Sequence, residues 1–92
     1  MTPSAAETIA LQALAWLAAD DELWPVFLGA SGSSAADARA GAQDPAYLAA
    51  VLEFLTSTDE WVVSFCDAAD LRYDQPLQAR YALPGSERVE WT

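Results

Sequence analysis

With 92 residues and 53% hydrophobic content, the chain suits one domain with a thin core, because only about 60% of the surface of so short a chain can be buried on folding. Fourteen acidic residues stand against four arginines, with no lysine and no histidine, for a formal net charge of −10. That balance disfavours nucleic acid, whose phosphates are met by lysine and arginine, and it disfavours anionic membrane surfaces.

The single cysteine, Cys66, cannot form an intrachain disulfide, so a cytoplasmic location is expected. Met1-Thr2-Pro3-Ser4 lacks the basic start of an export signal. The longest apolar run, Ile9 to Ala19, is interrupted by Gln12 and falls short of the roughly 20 residues of a membrane span. Twenty residues are alanine, which permits close helix approach but supplies little apolar area. Bulky rings at Trp16, Trp24, Phe27, Tyr47, Phe54, Trp61 and Phe65 are therefore expected to fill the gaps between alanine-rich helices.

Ser4-Ala5-Ala6-Glu7 reads as a capping box opening a first helix to about Ala18, with Thr2-Pro3 as a competing start. Ile9, Ala13, Trp16 and Leu17 form its core line, and Leu11 and Leu14 widen the apolar arc. This helix should be the most central. Asp20-Asp21-Glu22 then gathers negative charge where a second helix begins, at the positive end of its dipole. Leu23, Trp24, Phe27 and Leu28 give that helix an apolar face, with Pro25 setting its start near Leu23 or kinking it. Gly29 to Gly32 ends it, and Ser34 with Asp37 caps a short helix over 35–40.

Residues 44–70 predict an antiparallel helical hairpin around which the chain is arranged. Asp44-Pro45 is an N-cap followed by proline in the first turn, and Ser57-Thr58-Asp59-Glu60 reads as the capping box of the second arm. At about 100° per residue, Tyr47, Leu48, Val51, Leu52, Phe54 and Leu55 share one face, with Ala49, Ala50 and Glu53 opposite. On the second arm Trp61, Val62, Phe65, Cys66 and Ala69 share a face. Trp61→Ala is accordingly expected to cost about 3–5 kcal/mol, against less than about 0.5 for Trp91→Ala.

Beyond the hairpin, Leu71 and Tyr73 are expected to fold back, and Pro76 opens a last helix to about Leu83, anchored by Leu77 and Tyr81. The whole reads as an all-α, compact single-domain bundle of about five to six short helices over 1–85, with a flexible C-terminal tail at 86–92.

The block Glu7-Thr8-Ile9-Ala10-Leu11-Gln12-Ala13-Leu14-Ala15-Trp16-Leu17, then Phe27-Leu28, Asp44-Pro45 and Leu48-Ala49-Ala50-Val51-Leu52-Glu53-Phe54-Leu55, resembles a small bacterial family, domain of unknown function 3572. The likeness runs through Ala82-Leu83-Pro84-Gly85 and departs from the family pattern at Trp24-Pro25. It implies a stand-alone all-helical protein. It implies no activity and carries over no catalytic residue.

The residues themselves offer little chemistry. Without histidine or lysine, acid–base work would fall to carboxylates, tyrosine or Cys66, and Cys66 sits on an apolar stripe with no base beside it. Asp67, Asp70 and Asp74 lack the alternating spacing and closing glutamate of a calcium loop, and Arg72 lies close enough to offset Asp67 and Asp70 at a helix end. No catalytic, cofactor-binding or metal-ligating residue is expected. The favoured reading is a non-enzymatic interaction or adaptor module for an unidentified protein partner, a basic one if the acidity is itself a recognition feature. Its candidate contacts are Trp24, Tyr73, Tyr81 and Trp91. The alternatives are a ligand binder or carboxylate-based enzyme with an interhelical pocket using Tyr47, and a structural homo-oligomer through the wide first helix.

Overall fold

The computed structural model describes residues 1–83, and within them every regular element is a helix. The order is α1 (Pro3–Ala18), α2 (Leu23–Ser31), α3 (Ala35–Gly41), α4 (Pro45–Thr56), α5 (Asp59–Ala69) and α6 (Gln75–Ala82). The tail, the 85/86 boundary and Trp91 lie outside the described residues.

Local chemistry sets the helix ends. At α1 the competing start prevails: Thr2 is the N-cap, its Oγ1 accepting from the Ala5 amide at 3.1 Å, and Pro3 opens the helix where no amide is needed. Ser4 is inside the first turn, where its carbonyl accepts from the Thr8 hydroxyl. Asp20 Oδ1 accepts from the amides of Glu22 and Leu23 at 2.9 and 3.0 Å, so an aspartate before the helix starts α2. Gly32, at φ 68°, closes α2 in the left-handed region. Ser34 and Asp37 form the expected reciprocal box on α3, and Asp44 caps α4 through the Ala46 amide.

The box expected at Ser57 does not form. Ser57 Oγ donates back to the Phe54 carbonyl at 2.6 Å, and Thr58 is the N-cap of α5 without a side-chain bond. Once the Ser57 hydroxyl serves the orphan carbonyls of α4, it is lost to the amides of α5. Asp70, at φ 59°, ends α5 in the left-handed region, which a short polar side chain tolerates.

The centre of the bundle is not the 44–70 hairpin but the trio α1, α4 and α6, whose closest approaches are α1 to α6 and α1 to α4. Ala6, Ala10 and Ala13 on α1 and Ala79 on α6 are fully buried, or nearly so, and their small side chains suit close helix approach. Leu17, Val51, Leu52 and Leu55 add fully buried bulk, each contributing roughly 1.5–3 kcal/mol relative to exposure. Ala49, expected on the outer face of α4, is buried as well.

On α6 the buried line is Pro76, Ala79 and Leu83, while Leu77 and Tyr81, the expected anchors, are 43% and 63% exposed. A helix packed between α1 and α4 presents its small residues to them and turns its larger ones outward. The rings interlock as expected: Phe27 meets Trp24, Tyr47 and Phe54 at centroid distances of 5.7, 6.1 and 5.3 Å. Among the described residues no polar or charged side chain is buried, and no helix is long and apolar enough to cross a membrane.

Candidate functional site

α5 is the least tightly held of the long helices. It packs on α4 and only lightly on α1, burying Phe65 and Cys66. The spacing opens a cleft of about 590 Å³ between the end of α1, the start of α2 and the first half of α5, lined by Trp16, Asp20, Glu22, Leu23, Asp59, Glu60, Trp61, Val63 and Ser64.

Trp16 and Trp61 floor the cleft, and each is held by a neighbouring ring. Trp16 meets Phe65 edge-on at 5.9 Å, and Trp61 stacks on Phe54 at 4.8 Å. Both indoles are half-buried rather than enclosed. Trp61 therefore has less to lose than a core ring, and Trp61→Ala is expected to cost about 1–2 kcal/mol in a urea melt instead of the 3–5 of full burial. A loss above about 3 kcal/mol would mean that the ring is enclosed by α1.

Carboxylates rim the floor from two helix starts. Asp20 and Glu22 stand at the beginning of α2, and Asp59 and Glu60 occupy the first turn of α5, where helix dipoles favour negative charge. Asp20 spends one oxygen on the α2 amides. The side-chain carboxylates of Glu22, Asp59 and Glu60 make no hydrogen bond or ion pair among the described residues, where the ion pairs are Arg72–Asp74 at 3.2 Å and Arg80–Glu53 at 3.8 Å. The cleft thus offers indole surface, uncompensated negative charge and the Ser64 hydroxyl.

The aromatic residues singled out from sequence do not converge. Trp24 is half-buried against Phe27 and lines a separate apolar groove of about 490 Å³ with Leu11, Leu14, Ala38 and Arg39. Tyr73, 55% exposed, donates its hydroxyl to Asp67 Oδ1 at 2.8 Å. That bond and the Asp67 charge push its phenol above the ordinary range. Tyr81 lies on the surface of α6 with the Arg80 guanidinium 5.6 Å from its ring centre. Trp91 is outside the described residues. Tyr47 points its hydroxyl at Ser33 Oγ, 3.0 Å away.

Nor does Arg72 serve the acids at the end of α5, since its Nε pairs with Asp74. Asp74 also accepts from Gln78, and among the described residues no three metal-ligating side chains are grouped.

Cys66 is fully buried, its thiol facing the Arg72 carbonyl at 3.4 Å. Burial, then the charges of Asp67 and Asp74, push its pKa above the ordinary 9.0. The unfolded chain therefore loses this proton first. The thiol's contribution to stability is complete below about pH 9 and is lost as the pH climbs through 9 toward the folded value. Tyr73 acts with the same sign from about pH 10. Urea midpoints should fall from pH 8 to pH 10.5, and less steeply for the Cys66→Ala, Tyr73→Phe double variant. Identical slopes would place the alkaline sensitivity elsewhere.

Comparison with curated proteins and with solved structures gives no significant match. Residues 3–86 match the family model described as "Protein of unknown function (DUF3572)". With the match covering all six described helices, the chain belongs to the DUF3572 family.

Proposed function

We propose that this protein is a small, acidic, non-enzymatic interaction module whose cleft between α1, α2 and α5 docks another protein. The observation that carries the reading is the pair of half-buried indoles, Trp16 and Trp61, flooring one open concavity. Tryptophan is the residue most enriched at the energetic centres of interfaces, because a large rigid surface is desolvated at little entropic cost. The one described cysteine, buried and unpaired, suits a reducing compartment, and we place the module in the cytoplasm.

Ser64 is exposed at the cleft wall, so Ser64→Arg fills and recharges the site without touching the core. Immobilised wild type, Ser64→Arg and Tyr81→Ala are compared for capture from the native cytoplasm. A stoichiometric partner kept by wild type and Tyr81→Ala but lost with Ser64→Arg supports docking at the cleft. Loss with Tyr81→Ala alone moves the surface to α6, and purification as a clean monomer carrying a small molecule sinks the reading.

A further inference from the structure

We infer that the occupant of the cleft is an arginine-bearing segment of the partner protein, its guanidinium lying over the Trp16–Trp61 floor and its charge met by Asp20, Glu22, Asp59 and Glu60. The inference rests on the docking reading above and names the chemistry of what docks.

Three features of the cleft select this occupant. Its floor is aromatic, and an indole face attracts a cation more strongly than the other aromatic rings do. Phe54 stacks on one face of Trp61, and the ring, packed against the core, still lines the cleft with part of its surface. Its rim carries four carboxylates and no basic side chain, and three of those carboxylates have no partner among the described residues. A cleft whose charged lining is all of one sign attracts a cation, with no basic side chain there to compete with it.

Geometry then separates arginine from lysine. A planar guanidinium stacks on an indole while its edge donates to carboxylates, whereas an ammonium is a strongly hydrated point charge that does one or the other. A floor of two indoles beneath a carboxylate rim is matched to the planar group. An apolar helix would leave the rim acids desolvated and unpaired, and an acidic segment would be repelled.

The helix starts explain why acids are tolerated at 20–22 and 59–60, but a purely local role predicts a different result on mutation. Acids that serve only α2 and α5 would change stability when neutralised and leave binding alone. Binding and stability are therefore read on the same variants.

The test titrates the 92-residue protein, labelled with ¹⁵N, with a capped hexapeptide alternating glycine and arginine, and with its lysine and glutamate counterparts, at low and physiological salt. With four tryptophans in the chain, the four indole N–H signals report the location. The arginine peptide should move the Trp16 and Trp61 signals and leave that of Trp24 in place. It should bind at least threefold more tightly than the lysine peptide and more weakly at higher salt. Glu22→Gln, Asp59→Asn and Glu60→Gln together should weaken it about tenfold. Glu7→Gln, Glu53→Gln and Asp70→Asn, the same change in net charge away from the cleft, should weaken it less than twofold.

Equal losses in the two triple variants, or equal binding of arginine and lysine, would overturn the inference. If the arginine peptide leaves Trp16 and Trp61 unmoved while a Ser64→Arg-sensitive partner is captured, the basic segment is wrong and the docking reading stands. If that partner is also missing, both fall. Should the rim triple variant unfold, Ser64→Arg alone decides, since it should abolish the Trp16 and Trp61 shifts in a protein whose core is unchanged.

Discussion

Replacing Phe27 with alanine is expected to lower the unfolding free energy by about 3–5 kcal/mol, the range of fully enclosed aromatic truncations. The ring is 0% exposed and is where α2 joins the bundle. Trp24 stacks on it from its own helix, and Tyr47 and Phe54 of α4 meet it edge-on at 6.1 and 5.3 Å. Its removal leaves a cavity walled by rings too stiff to collapse inward, and the aromatic pairings are lost as well. A domain of this size has only about 5–15 kcal/mol in total, so the variant should unfold at far lower urea. Phe27→Leu, which keeps most of the volume, should cost about 1–2 kcal/mol. A loss below about 1 kcal/mol for Phe27→Ala would mean that α2 is not docked through this ring.

Gly41→Ala should also destabilise, by about 1–3 kcal/mol, although alanine is the better helix former by about 1 kcal/mol. Gly41 is the last residue of α3 and is buried, with the Tyr47 ring lying directly on it. A methyl group there would run into Cγ and both Cδ atoms of Tyr47, the root of the ring rather than its mobile end. The ring would have to swing away from Phe27, and its hydroxyl from Ser33. The decisive measurement is the double variant. In a Tyr47→Ala background the obstacle is gone, so Gly41→Ala should become neutral or stabilising, a reversal of sign that only the ring contact produces. If Gly41→Ala stabilises the wild type, the ring does not lie where it has been placed.

The sequence makes local structure legible wherever one residue has one job. Ser34 with Asp37 and Asp44 with Pro45 each offer a single reasonable cap, and α3 and α4 start there. Where two hydroxyl residues compete, as Thr2 with Ser4 and Ser57 with Thr58, the winner depends on which orphan carbonyl or amide lies in reach. On α6 the size of Leu77 and Tyr81 misleads, because the buried face is chosen by the neighbours α1 and α4, which admit Pro76 and Ala79.

The cleft was hidden for a related reason. Trp16 and Trp61 sit on apolar faces, which periodicity assigns to the core. Their partial exposure comes from the distance at which α5 stands from α1, a tertiary quantity with no trace in local spacing. Asp20, Glu22, Asp59 and Glu60 were visible as helix-start acids, and only the fold shows that the two starts share one rim.

The close pairing of α1 with α6 joins the first described helix to the last. On the ribosome, α1 is made long before its nearest partner exists, and α2, α4 and α5 cover only part of its apolar arc. The nascent chain therefore carries an uncovered alanine and leucine surface until the α6 segment emerges, and cooperative folding waits for that final helix.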